Sequence, residues 1–303
     1  MKIQTTQNPA LLFLPKEALL LLLVAAFWGT SYGLTKSALW YTPVLLFIAI
    51  RFLATHLSLL YFTIKDFKAQ ANSDWWVAMP TGFLLLGIFC FEVYGVAHTS
   101  AANAAFLISL SILITGGLES VLSKGKMDKK LLILALISTL GVTALTQGQA
   151  FNSGLNLGDL LILGAALLRG IMVVLTKKLS QGKRITTLSL TSLQSLVVGT
   201  GAFILAFFTL PASAISLPTE PRFWLISLYL IVFCTLFAFY VQNYAVRRIS
   251  ATKVSLLMGS EPLFGALFAM LWLGESFTFI QCLGALTIFI SITFASLTKG
   301  KSA

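Results

Sequence analysis

Charge is the scarcest commodity in this sequence: of 303 residues only 10% are Asp, Glu, Lys or Arg, while 57% are hydrophobic. A soluble domain carries about 25% charged residues, so too few are present here to coat a water-facing surface. Histidine occurs only as His56 and His98, neither with a second His, Cys or carboxylate at metal-ligand spacing, which argues against a metal site. Cys90, Cys234 and Cys282 each lie in an apolar run with no C-x-x-C pair, and read as buried free thiols. The sequence has no G-x-x-x-x-G-K-[ST] phosphate loop, nucleophile elbow, H-E-x-x-H or haem-attachment motif. ATP-driven pumping within the chain and intramembrane catalysis are therefore disfavoured, no cofactor is expected, and the chain is expected not to be an enzyme.

What is abundant is long apolar sequence. A membrane span needs about 20 mostly apolar residues, and ten such segments are expected, at 17–37, 43–64, 75–97, 100–122, 131–148, 157–178, 186–209, 222–245, 250–273 and 278–297. The run after Glu17 continues beyond the length of a signal-peptide core, so no cleavable signal is expected. With the N-terminus placed in the cytoplasm, every Lys and Arg falls on the cytoplasmic side except Lys36, Arg51, Arg169 and Arg222. That alternation follows the positive-inside rule. The net charge of +11 thus reports orientation in an inner (cytoplasmic) membrane, with both termini cytoplasmic, and no nucleic-acid partner is expected.

The chain also echoes itself. At an offset of 141, Gly29 meets Gly170, Thr35-Lys36 meets Thr176-Lys177, and Trp28 stands opposite Arg169. At an offset of 150, Ser100-Ala101 meets Ser250-Ala251. Two halves, 1–150 and 151–303, would each hold five spans. An odd number inverts the second half, so the expected fold is an all-α polytopic membrane protein of ten transmembrane helices in two inverted five-helix repeats. Secondary transporters use this plan, with the substrate site near the midplane between the repeats.

Ionisable side chains inside a bilayer cost roughly 2.5–3.5 kcal/mol each on insertion scales, and so face a protein interior or an aqueous cavity. Arg51, Glu92, Arg169 and Glu261 qualify by depth. Glu92 reads either as a proton-coupling carboxylate or as an ion-pair partner of Arg51. Arg169 reads either as a carboxylate-binding guanidinium or as a partner of Glu261. Pro262 removes an amide donor and is expected to bend the ninth span beside a cavity. Gln194, Gln242 and Asn243 could bond to ligand or join helices. In "AFWGTSYGLTK" (26–36), Trp28 and Tyr32 form an aromatic stripe that reads either as cavity lining or as helix packing, Gly29 and Gly33 form a face for close helix approach, and the hydroxyls can bond back to helix carbonyls.

Several of these stretches resemble the EamA-type members of the drug/metabolite transporter superfamily over nearly the whole chain. They are "AFWGTSYGLTKSAL" (26–39), "FIAIRFL" (47–53), "SAANAAFLISLSILIT" (100–115) and "LGVTAL" (140–145) in the first half. In the second half they are "GDLLILGAALLRGIMVVLTKKL" (158–179) and "GSEPLFGALFAMLWLGESFTFIQCLGALTI" (259–288), with Glu261-Pro262 and the Gly274-Glu275 turn the most specific points. The sequence departs from the family where Ile112 replaces a frequent Pro, where Lys124-Gly125 replaces the Gly-Glu turn, and where Arg169 replaces the usual Trp of the sixth span. The resemblance implies two EamA-like repeats and export. Together these features lead us to expect a secondary active transporter of a small polar, amino-acid-like metabolite, coupled to protons or exchange. A membrane-embedded enzyme, a channel or a non-transporting scaffold is the alternative.

Overall fold

A computed structural model describes residues 15–122, 129–146, 156–273 and 278–298, and these are almost entirely helical. Helix α1 spans Lys16–Ala38, α2 Val44–Lys68 and α3 Ala78–His98, the last preceded by a 3₁₀ turn at Trp75–Val77. They are followed by α4 (Ala101–Ser109), α5 (Ser111–Leu122), α6 (Lys129–Leu145), α7 (Leu157–Ser180) and α8 (Thr187–Thr209). The chain then forms α9 (Pro221–Ile231), a π-turn at Val232–Phe237, α10 (Ala238–Val246), α11 (Ala251–Met258), α12 (Glu261–Leu273) and α13 (Phe279–Leu297).

Among the described residues, eight segments are long and apolar enough to cross a membrane. The other two expected spans are also helical, but one is the 17-residue α6 and the other is divided into α11 and α12. The Gly274-Glu275 turn and Lys124-Gly125 lie outside the described residues.

Side-chain caps set several helix starts, each satisfying an amide with no partner inside the helix. Ser100 accepts from the Asn103 amide at α4, and Ser250 accepts from the Lys253 amide at α11. These are positions related by the 150-residue offset. Thr30 and Ser31 donate to the carbonyls of Phe27 and Trp28, as hydroxyls in an apolar helix should. The ninth segment breaks at Gly259–Ser260, ahead of Pro262 rather than at it. Pro262 occupies the first turn of α12, where no intrahelical amide bond is required of it.

Helices α1 and α12 approach closely at glycines: a Cβ on Gly29 would lie 2.6 Å from the Gly265 nitrogen and 2.7 Å from the Glu261 carbonyl oxygen. Gly33 does not share this role, because a Cβ there would meet nothing within 4 Å. The face expected for close approach is thus one glycine wide. Large apolar side chains such as Leu57, Phe83, Leu140, Phe208 and Phe289 point outward, as a lipid-facing belt requires. Cys282 is exposed on the outward face of α13 and Cys90 is half-buried, which leaves Cys234 as the one cysteine of the three that is buried. An apolar run in a membrane bundle faces lipid as readily as protein, and this is why burial did not follow from it.

The two ends of the bundle repeat one contact. Lys36, at the end of α1, donates to the Thr99 carbonyl at 2.9 Å, and Lys177, near the end of α7, donates to the Ile249 carbonyl at 3.1 Å. A carboxylate completes each cluster. Asp159 accepts from the Thr99 hydroxyl at 2.5 Å. Glu119 accepts from the amides of Ala251 and Thr252, from the Thr252 hydroxyl and from Lys177.

The α2–α3 connection docks on the α7–α8 connection, where the Arg184 amide donates to Asp74 at 2.8 Å and Lys183 stands 3.5 Å from the same carboxylate. The Arg184 amide holds the Asp74 carboxyl below its usual value. A lowered carboxyl pKa stabilises the fold above the unfolded value, and that contribution disappears as pH falls through the folded one. The Asp74→Asn variant should therefore melt slightly below wild type at pH 7, and the two curves should converge below about pH 4. A melting-temperature difference that persists on acidification would contradict this.

Candidate functional site

A cavity, partly open to solvent, is lined by α1, α2, α3, α7, α10 and the first residue of α12. Helical spacing builds its walls. Trp28, Ser31 and Tyr32 line one face of α1, Leu85, Ile88, Phe89 and Glu92 one face of α3, Arg169 and Met172 come from α7, and Phe239 and Gln242 from α10. Arg51 and Glu261 complete the lining.

Arg169 sits at the centre of the electrostatics. Its Nη1 donates to Glu261 Oε1 at 3.2 Å, and its guanidinium stacks on the Trp28 ring with Cζ 4.4 Å from the centroid. The break before α12 places Glu261 where that pairing is possible. The pair does not consume itself fully: Arg169 Nη2 and Glu261 Oε2 are both buried with no hydrogen-bond partner. Such groups are rare in native proteins and mark a place where another polar group belongs. Tyr32 lies beside the Glu261 carboxylate.

Arg51 is held differently. Its Nε donates to the Thr235 hydroxyl at 2.6 Å and its Nη2 to the Cys234 carbonyl at 3.3 Å, with the guanidinium 5.2 Å from the Phe89 ring centroid. The direct Arg51–Glu92 ion pair considered from sequence does not form; among the described residues Glu92 makes no ion pair within 4.0 Å. Trp28 Nε1 donates to the same Cys234 carbonyl at 2.8 Å. Phe239 packs 5.7 Å from Trp28 and 5.9 Å from Phe89, closing an aromatic wall.

Of the residues singled out from sequence, Trp28, Tyr32, Arg51, Glu92, Arg169, Gln242 and Glu261 meet at this cavity, and Gln194, Asn243 and Pro262 do not line it. Asn243 donates to Thr191 and Gln194, and Gln194 donates to Thr81, so these amides tie α3, α8 and α10 together. Sequence reasoning passed over Ser31, Leu85, Ile88, Phe89, Met172 and Phe239. Counting back from Glu92 by helical spacing would have found Phe89, Ile88 and Leu85.

A helical bundle with an apolar outer surface and a charged cavity among its spans has the plan of a membrane transporter. The EamA-like transporter family matches residues 15–147 and 156–297, and the chain belongs to that family. The uncharacterized transporter YetK of Bacillus subtilis (strain 168) is 28% identical over 285 residues, covering 90% of this chain and 84% of the relative. An uncharacterized transporter of Archaeoglobus fulgidus is 26% identical over 294 residues, covering 94% of this chain and 98% of its own. A solved crystal structure with 16% identity superposes with a TM-score of 0.76 over 93% of this chain and 96% of that one, and shares the fold.

Proposed function

We propose that this chain is a secondary active transporter that exports a small, zwitterionic, amino-acid-like metabolite by alternating access, coupled to protons or to exchange. The observation that carries the reading is the pair of orphaned atoms in the cavity. Arg169 Nη2 seeks an acceptor and Glu261 Oε2 seeks a donor, as a molecule bearing a carboxylate and an ammonium would supply. Arg51 and Glu92 add a second cation and anion to the same lining, beside a wall of Trp28, Phe89, Phe239 and Met172 for an apolar body.

The matched contacts at the two ends are consistent with ten spans in two inverted repeats, and the Lys and Arg alternation is consistent with both termini in the cytoplasm and an inner-membrane location. Under that arrangement Lys36–Thr99–Asp159 closes the outer side, and Glu119–Lys177–Thr252 closes the inner side. Alternating access then opens one cluster at a time. Thr191, Gln194 and Asn243 belong to the packing that moves as a unit.

Proteoliposomes holding the purified protein should show saturable counterflow with at least one member of a panel of neutral amino acids. Failure of the whole panel, extended to nucleobases, would overturn the reading, and an unsaturable conductance would replace it with a channel. Glu92 is the carboxylate assigned to proton coupling. Glu92→Gln should abolish gradient-driven transport while counterflow survives, and an unchanged pH dependence of transport would remove Glu92 from that role.

A further inference from the structure

The π-turn at Val232–Phe237 interrupts the ladder of its helix inside an apolar segment where neither glycine nor proline explains it. A π-turn adds one residue to the usual spacing and leaves backbone carbonyls free to serve other partners. Here the Cys234 carbonyl receives both the Trp28 indole N–H, from α1, and Arg51 Nη2, from α2. The adjacent Thr235 hydroxyl donates to the Leu230 carbonyl at 2.9 Å, so its lone pairs face Arg51 Nε, which it accepts at 2.6 Å. One irregular turn thus fixes two of the side chains that line the cavity.

The consequence is a difference between the two arginines. Arg169 is neutralised by Glu261. Arg51 is held by a hydroxyl and a carbonyl, both uncharged, and among the described residues no carboxylate lies within 4.0 Å of it. Neutral acceptors orient a guanidinium without cancelling its charge. It is also 4% exposed, so water does little to screen it.

We infer that Thr235, through the π-turn, is a positioning residue that holds Arg51 as the cavity's cation with no carboxylate in direct contact and thereby sets the site's acceptance of an anionic group on the cargo. This rests on the cavity being the transport site. Removing the hydroxyl releases Arg51 Nε and allows the guanidinium to swing away from the place where cargo meets it. The amine end of the cargo, read by carboxylates on other helices, is untouched.

The probes are leucine and its two halves: 3-methylbutylamine, which keeps the ammonium, and 4-methylpentanoate, which keeps the carboxylate. In leucine counterflow, Thr235→Val, which preserves shape without the hydroxyl, should raise KM about tenfold with kcat little changed. Inhibition by 4-methylpentanoate should weaken in parallel, inhibition by 3-methylbutylamine should move less than twofold, and Thr235→Ser should restore wild-type values. Loss of sensitivity to both halves together, or none to either, overturns the assignment. A second measurement needs no cargo: modification of Arg51 by 2,3-butanedione, followed by peptide mass spectrometry, should quicken at least threefold in Thr235→Val and return in Thr235→Ser. If wild type moves none of the probes, the leucine-like cargo reading fails and the butanedione rates decide the positioning role, equal rates overturning it.

Discussion

Truncating Glu261 to alanine is expected to destabilise the protein by about 3–5 kcal/mol, because it strands a buried guanidinium without its counter-charge. Glu261 is 1% exposed and Arg169 9% exposed, so solvent offers little relief to the partner left behind. Arg169→Met alone should cost a similar amount. The double variant Arg169→Met/Glu261→Met should recover most of that stability, since a well-packed apolar pair of similar volume commonly replaces a buried ion pair without loss. Transport should not recover. The orphaned Arg169 Nη2 and Glu261 Oε2 disappear with the side chains, and Trp28 loses the cation on which it stacks. Denaturation of the four proteins in detergent, paired with counterflow, separates the fold's use of the pair from the cargo's. Single variants as stable as wild type would refute the account.

The second large effect is expected at Gly29. Alanine there drives a methyl group to 2.6 Å from the Gly265 nitrogen and 2.7 Å from the Glu261 carbonyl oxygen. Both obstacles are backbone, so neither can rotate away. Overpacking ordinarily costs about 1–3 kcal/mol, and the rigid neighbours place Gly29→Ala at the upper end of that range or beyond it. The displacement also pushes α12 and Glu261 away from Arg169, so transport should fall more steeply than stability. Gly33→Ala is the matched control one turn later. With nothing within 4 Å, it should be tolerated and should gain the helical preference of alanine, about 0.5–1 kcal/mol. Equal behaviour of the two variants would show that the close approach at Gly29 is unimportant.

The contrast between those glycines shows what the sequence could carry. A four-residue spacing says that Gly29 and Gly33 share a side of the helix, but the distance to the next helix is tertiary information. Membrane crossing was legible because apolar length is a direct physical requirement. Arg51, Glu92, Arg169 and Glu261 were legible because charge is costly in lipid. The apolar wall was hidden for the converse reason: Leu85, Ile88 and Phe89 facing a cavity are the same residue types as Leu57 and Phe83 facing lipid. Gln194 and Asn243 stayed open between cargo and helix joining because an amide bonding to its neighbour looks no different in sequence from one bonding to cargo. The division at Leu110 and the π-turn in "VFCTLF" carry neither Gly nor Pro. Packing, rather than local preference, produces them.

Trp28 and Arg169 hold equivalent places in the two halves of the chain, and in the folded protein they touch each other. In the proposed inverted-repeat arrangement, residues so related meet near the axis that exchanges the halves. Were the halves identical chains assembled as a pair, each residue on that axis would face its own copy, ring against ring or guanidinium against guanidinium. The second of these would set like charges together in a buried site. A chain that carries both halves covalently is released from self-complementarity at this one place. It can set an aromatic ring from one half against a cation from the other, and under the proposed function the chamber they share becomes lopsided, with different chemistry for the two ends of the cargo.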